Sequence, residues 1–262
     1  MNRINKKFKE LGKKKALIIY ITAGYPNLSK TKELIFELEK NGADIIELGI
    51  PFSDPLADGP TIQLASQRAL KNNVSLKDII SLVKNVRKKT EIPLVFMTYY
   101  NPVFHFGVSK LVKEAARAGV DGVIIPDLPP EEAKVLVKSA RKERFAAIFL
   151  LTPTSVEKRM KSVSKASTGF IYYVSLTGVT GTRHKLPTEL KNKVRSIKRF
   201  TMNPVCVGFG VSNPAQARDI ARTADGVIVG SAVINLIHKN LGKRDLIRKI
   251  GRFVRELKNA IR

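Results

Sequence analysis

The chain has 262 residues, 44% of them apolar and 26% charged, with 17 glycines and 13 prolines. That balance suits one large packed domain and excludes collagen, low-complexity disorder and a miniprotein stapled by disulfides. Lysine and arginine total 47 against 22 acids, a net charge of +25 that attracts polyanions and phosphorylated metabolites alike.

The N-terminal segment 1–15 is basic and reads as a short helix. The apolar run after it, 17–22, is too short for a signal-peptide core and reads as a strand, so a cytoplasmic protein is expected. No apolar run reaches the roughly 18 residues that a membrane-spanning helix needs. Short apolar runs then alternate with longer amphipathic stretches. Strands are predicted at 17–22, 44–50, 93–98, 122–126, 145–150, 170–174, 204–208 and 226–230. They are rich in Ile and Val and apolar at consecutive positions, as parallel strands covered on both faces are.

Helices are predicted at 30–41, 76–88, 109–118, 130–141, 155–165, 187–200, 213–222 and 246–261, with Ser29, Ser109, Thr154 and Ser212 or Asn213 as candidate caps. The order implies one α/β domain over 1–262, a closed (β/α)8 or TIM barrel with its core at about 16–240 and a C-terminal helical segment at 243–262. An open doubly wound sheet is the alternative, but Gly24-Tyr25-Pro26 is not its glycine fingerprint. Asn41-Gly42-Ala43-Asp44, Ala118-Gly119-Val120-Asp121 and Thr223-Ala224-Asp225-Gly226 look like one helix-to-strand turn reused before strands two, four and eight.

In such a barrel, chemistry lies where strands lead into helices. Glu47 stands inside the apolar run 44–50, where an unpaired charge is costly and a carboxyl group tends to keep its proton. A carboxyl near neutrality can give and take a proton, although a structural Glu paired with a Lys or capping an amide fits the same position. The loop 51–60 that follows is stiffened by three prolines. Within it Asp54 suits a local turn, and Asp58 is the better candidate for reaching a ligand.

After strand seven comes Gly208-Phe209-Gly210-Val211-Ser212-Asn213-Pro214, and after strand eight Gly230-Ser231. Glycines beside helix starts at those two places suit a phosphate, or serve tight turns only. The polar, glycine-hinged stretch 175–187 reads as a mobile lid or as a surface loop. Cys206 lies in an apolar run and reads as an inert buried thiol, His105 and His238 read as structural, and no metal-ligand spacing is present. The basic residues, scattered from Lys6, Lys7 and Lys9 to Arg248 and Lys249, come without nucleic-acid signatures and read as a solvated surface.

The run Glu47-Leu48-Gly49-Ile50-Pro51-Phe52-Ser53-Asp54-Pro55-Leu56-Ala57-Asp58-Gly59-Pro60-Thr61-Ile62-Gln63 resembles the signature of the tryptophan synthase alpha chain family. The likeness continues through Tyr20-Ile21-Thr22-Ala23-Gly24-Tyr25-Pro26, Met97-Thr98-Tyr99-Tyr100-Asn101-Pro102, Pro126-Asp127-Leu128-Pro129, Tyr172-Tyr173-Val174-Ser175, Gly178-Val179-Thr180-Gly181, Phe209-Gly210 and Gly230-Ser231. It implies retro-aldol cleavage of indole-3-glycerol phosphate to indole and glyceraldehyde 3-phosphate. By resemblance Glu47 is the acid–base group and Asp58 binds the indole N–H. Tyr172 lies beside the substrate, and Thr180 closes against Asp58. The phosphate rests on Gly181, Phe209, Gly210, Gly230 and Ser231, and Tyr20, Ile62, Met97 and Ile124 line the indole pocket.

The resemblance also implies a beta-chain partner in an alpha2beta2 complex, facing the loop after strand two and Asn101-Pro102-Val103. Pyridoxal phosphate belongs to that partner, so no cofactor and no metal is expected here. Tyr20 stands where some members have Phe, Leu176 where some have a basic residue, and the +25 charge is outside the family's expected range. The alternatives are a barrel enzyme acting on another phosphorylated substrate, a nucleic-acid-binding protein that has kept only the barrel, and a lyase that works alone.

Overall fold

The computed structural model of the chain describes residues 1–174, 186–208 and 210–262. The first half runs α1 (Arg3–Leu11), β1 (Ala16–Thr22), α2 (Leu28–Lys40), β2 (Ile45–Gly49), α3 (Pro60–Lys71), α4 (Leu76–Val86), β3 (Leu94–Met97), α5 (Tyr100–Phe106), α6 (Val108–Ala118) and β4 (Gly122–Ile124). The second half runs α7 (Lys134–Lys142), β5 (Ala146–Ile148), β6 (Leu150–Leu151), α8 (Glu157–Ala166), β7 (Ile171–Val174), α9 (Leu186–Lys198), β8 (Val205–Gly208), α10 (Pro214–Ala221), β9 (Gly226–Val229), α11 (Ser231–Lys239) and α12 (Leu246–Ala260).

All strand pairs are parallel, in the order β5-β4-β3-β2-β1-β9-β8-β7-β6. The two ends of that order are successive pieces of one run, split at Phe149. β5 bonds β4, β6 bonds β7, and Tyr172 N donates to Phe149 O at 3.2 Å. The run 146–151 therefore closes the cylinder, and eight strand positions surround the axis. The single predicted strand at 145–150 is correct in place and differs in this break.

Register separates two faces. Tyr20 lies opposite Glu47, Glu47 opposite Val95, and Val95 opposite Gly122. Side chains of that parity point inward, where Ile18, Ile45, Val95, Ile124, Ile148, Cys206 and Ile228 form one buried cluster. Helix α1 closes the end where the strands begin. Its Ile4 is fully buried, Phe8 and Leu11 pack on the same cluster, and the Phe8 and Phe170 rings lie 6.2 Å apart. The opposite strand face packs against the outer helices in a second, larger cluster.

The recurring turns seen in the sequence share one bonding pattern. Asp44, Asp121 and Asp225 donate their backbone N–H to the carbonyls of Leu17, Leu94 and Val205 at 2.8, 2.8 and 2.9 Å. Their carboxylates accept the N–H of the same three residues at 2.7, 2.9 and 2.9 Å. Each carboxylate also holds a cation: Lys258, Arg87 with Arg3, and Lys198 respectively. Neighbouring strands are thus held in register at their first residues by an aspartate that bonds twice and is itself neutralised.

Boundaries differ where local chemistry overrides periodicity. The caps are Asn27 for α2, Gly107 for α6 and Val156 for α8, in place of Ser29, Ser109 and Thr154, while Asn213 does cap α10. Helix α3 was not predicted because its buried face is made of Ala65, Ser66 and Ala69, which give a weak apolar stripe. Helix α5 is short, carries Pro102 and ends at Gly107 with φ of 90°. The last helix begins at Leu246, after turns through 241–245.

Arg87 and Asp121 pair at 2.8 Å with side chains 9% and 3% exposed. Asp121→Ala leaves that guanidinium buried beside its three carbonyl acceptors, and a loss of about 3 kcal/mol or more is expected in urea unfolding. Asp225→Ala, whose Lys198 partner reaches solvent, is expected to lose clearly less.

Candidate active site

Strand β2 carries Glu47 on the inward face, one layer above Ile45 and beside Tyr20 of β1. Its side chain is 0% exposed, and neither carboxyl oxygen has a hydrogen-bond partner among the described residues. Burial alone raises its pKa to about 8. Among those residues Glu47 pairs with no lysine and caps no amide, so the structural alternatives for it have no partner there.

Two tyrosines share the chamber because two glycines make room. A side chain at Gly49 collides with the Tyr20 hydroxyl, and a Cβ at Gly208 lies 2.5 Å from the Tyr172 hydroxyl. Tyr20 Oη is 3.3 Å from Thr22 Oγ1. Burial raises both phenols first, and the charges of Asp58 and Glu47 raise both further, so both rings lie within electrostatic reach of the two carboxyls. Met97 and Ile124 lie in register at the ends of β3 and β4 on the same inward face. Ile62, in the first turn of α3, is partly buried against the larger cluster, of which Tyr20 is also a member.

Asp58 reaches this chamber from the loop 50–59, which is pinned at several points. Phe52 N–H donates to Ser66 Oγ at 2.9 Å and Ser66 Oγ donates to Phe52 O at 3.0 Å. Gln63 Nε2 donates to Asp58 O at 2.9 Å, and Ala57 N–H to the Tyr99 hydroxyl at 3.0 Å. Burial raises Asp58 to about 6, while the hydrogen bond from Tyr99 holds it down. Asp54 sits exposed, its carboxylate accepting from the Ser53 hydroxyl at 2.5 Å.

Tyr99 is the residue to which sequence reasoning gave no role. It stands at the start of α5, whose first amide, Tyr100 N–H, donates to both Asp127 oxygens at 2.9 and 3.1 Å. The signal available was its place directly after a strand end, facing the proline-rich loop across a 5.4 Å ring contact with Phe52.

The two glycine loops are not equivalent. At α10 the Asn213 side chain accepts from Gln216 N, and Gln216 Oε1 accepts from Ser212 N, so local side chains take up those amides. Gly210 there has φ of 78°. Helix α11 begins after Gly230 with no side-chain cap, Ser231 is its first residue, and a Cβ added at Gly230 would lie 3.4 Å from the Cβ of Tyr20. Thr180, Gly181 and Phe209 lie outside the described residues, as do residues 175–185 of the stretch 175–187 read as a lid, whose last two residues open α9.

Elsewhere, Cys206 is fully buried and its thiol pKa is pushed up by burial. His238 Nδ1 sits 2.9 Å from the Tyr25 hydroxyl. Among the described residues no cluster of three or more His, Cys, Asp or Glu could hold a metal ion, and no helix is long and apolar enough to cross a membrane.

A family profile described as tryptophan synthase alpha chain matches residues 7–262. The chain belongs to that family. A tryptophan synthase alpha chain of Geotalea uraniireducens is 51% identical over 264 residues, covering 100% of this chain and 98% of the relative. One from Caldanaerobacter subterraneus is 46% identical, with 100% of both chains covered. The solved alpha subunit of Legionella pneumophila superposes with a TM-score of 0.93 at 40% identity, covering 100% and 98% of the two chains. A tryptophan synthase of M. tuberculosis in aminoacrylate-bound form matches with a TM-score of 0.88 at 34% identity, covering 100% of both chains. As a member of the alpha chain family the protein is a lyase subunit of amino-acid biosynthesis, and membership implies a beta-chain partner.

Removing the Tyr99 hydroxyl removes the bond that holds Asp58 down. Tyr99→Phe is therefore expected to move the Asp58 titration above its value of about 6, read by carbon NMR of the labelled carboxyl.

Proposed function

We propose that the barrel mouth cleaves indole-3-glycerol phosphate by a retro-aldol step, with Glu47 as the acid–base group. The observation that carries this reading is the enclosed Glu47 carboxyl, without a hydrogen-bond partner among the described residues, which keeps its proton to about pH 8 close to Asp58, Tyr20 and Tyr172. Protonated Glu47 gives its proton to C3 of the indole ring, leaving an iminium-like cation. The bond from C3 to the glycerol chain then breaks, and its electron pair returns to the ring as indole. The glycerol hydroxyl on the departing carbon loses its proton to the Glu47 carboxylate and becomes the aldehyde of glyceraldehyde 3-phosphate. One carboxyl thus closes the proton cycle.

Asp58, ionised above about pH 6, accepts the indole N–H and stabilises the positive charge as it builds on the ring. Tyr20, Met97, Ile124 and Ile62 supply the apolar wall, with Tyr172 beside the reacting carbon. Gly230 and Ser231, at the uncapped start of α11, aim free amides and the positive end of the helix at the phosphate, assisted by Gly210. Thr180, Gly181 and Phe209 keep the roles that the resemblance implies for them.

Indole is apolar and easily lost, which favours transfer to a beta chain in an alpha2beta2 complex. Leu56, 93% exposed in the loop after β2, and exposed Phe104 on α5 beside Asn101-Pro102-Val103 suit that partner face. Pyridoxal phosphate acts in the beta chain, and the proton cycle above needs no cofactor in this one.

Glu47→Gln is expected to abolish indole release, followed from indole-3-glycerol phosphate with and without a beta chain, while glycerol phosphate binding persists. Wild-type turnover in that variant removes Glu47 from the mechanism. Stability supplies an independent readout. Native Glu47 holds its proton to about pH 8, whereas the unfolded chain releases it near the ordinary glutamate value. The native state therefore binds more protons across that window, and stability falls as pH rises through it. The melting temperature of Glu47→Gln relative to wild type is expected to climb between about pH 5 and about pH 8.5.

The two titrations also set the pH profile of kcat/KM. Activity requires Asp58 ionised and Glu47 protonated, so it rises through about pH 6 and falls through about pH 8. A profile flat across that range contradicts these assignments.

A further inference from the structure

The chemistry at the mouth leaves unused a half-open cavity of about 580 Å3 at the opposite end of the barrel, where the strands begin. One wall is the turn from α1 into β1, which carries Lys13, Lys14 and Lys15. The other is the turn from α9 into β8, which carries Met202 and Asn203. Both walls are held in place. Gly12 N–H donates to Phe8 O at 3.1 Å, Lys14 N–H to Leu11 O at 2.9 Å and Ala16 N–H to Asp225 O at 3.0 Å. Across the cavity, Asn203 Nδ2 donates to Ser167 O at 2.9 Å and its N–H to Thr201 Oγ1 at 3.0 Å.

Charge in this concavity is unbalanced. Asp225, the carboxylate in its lining, already accepts Lys198 at 2.7 Å and Val205 N–H at 2.9 Å. Lys13, Lys14 and Lys15 make no ion pair among the described residues, whereas on the adjoining helix Lys6 and Lys7 pair with Glu10, and Arg3 with Glu91 and Asp121. A concave wall with four lysines and one aspartate focuses a positive potential inward. Its lining also offers apolar surface, in half-buried Phe8 and in Met202, which is 101% exposed.

We propose that this cavity binds a nucleoside polyphosphate, with the phosphates on Lys13, Lys14 and Lys15 and the flat base against Met202 and Phe8. Its volume lies within the roughly 300–1,000 Å3 typical of small-molecule sites. Three successive lysines without an ion pair among the described residues, lining one cavity with an exposed thioether, fit a ligand with an anionic chain and an aromatic end. The site is separate from the barrel mouth and does not depend on the reaction assigned there.

The test is calorimetric titration of the full chain with ATP at about 0.15 M salt, with sn-glycerol 3-phosphate present to occupy the mouth. One saturable site is expected. Affinity is expected to fall about tenfold or more in the Lys13→Ala, Lys14→Ala, Lys15→Ala triple variant, as loss of three phosphate contacts predicts. A control triple variant on α7 (Lys134→Ala, Lys138→Ala, Arg141→Ala) should bind as wild type does, and Met202→Ala should bind ATP more weakly. Indole release and the melting temperature of the first variant should stay near wild type. Absence of saturable ATP binding, equal affinity in the first variant, or an equal loss in the α7 control overturns the proposal. Tight binding of oligothymidylate without binding of ATP also overturns it, because the ligand is then a nucleic-acid strand.

Discussion

A carboxyl group held out of water, with no hydrogen-bond partner among the described residues, is the condition on which the mouth of this barrel depends. Enclosure by the cylinder alone lifts Glu47 to about 8. A lysine reaching it would give a permanently ionised base, and exposure would return it to the ordinary acidic range. Much of the surrounding architecture serves that isolation. The run 146–151 closes the wall by bonding β4 with one half and β7 with the other. Gly49 and Gly208 leave space into which two tyrosine rings fold, so the chamber is lined by phenols where more side chains would otherwise crowd it.

The second carboxyl is placed under different physics. Asp58 sits on a loop, partly wet, with the Tyr99 hydroxyl bonded to it, and titrates near 6. Two acids of similar intrinsic strength are thereby separated, one kept neutral and the other ionised at the same pH, by location and a single phenol. Asp127 belongs to this arrangement at one remove. By holding the first amide of α5 it sets where Tyr99 stands, and through Tyr99 it bears on Asp58.

Strand positions were legible because consecutive Ile and Val residues say that both faces are covered, and Glu47 stood out because a charge in such a run needs a reason. The three repeated turns were visible as spacing, but their double bonding by aspartate was not, since it joins residues tens of positions apart. Helix α3 hides its inner face in alanine and serine, so periodicity had little to detect. Cap assignments failed at Ser29, Ser109 and Thr154 because serine and threonine fit several adjacent positions and packing chose another. The inequality of the two glycine loops was equally hidden, for it turns on whether Gln216 and Asn213 bend back to take up the amides of α10.

The aspartates at Asp44, Asp121 and Asp225 anchor three pairs of strands where the strands start, while the acids of the mouth lie where they end. Alignment of the staves is therefore settled at the floor, independently of what is built at the rim. Rim segments can lengthen, shorten or change composition over evolutionary time without shifting one stave against the next. A scaffold anchored in this way separates inheritance of shape from invention of chemistry along its own axis.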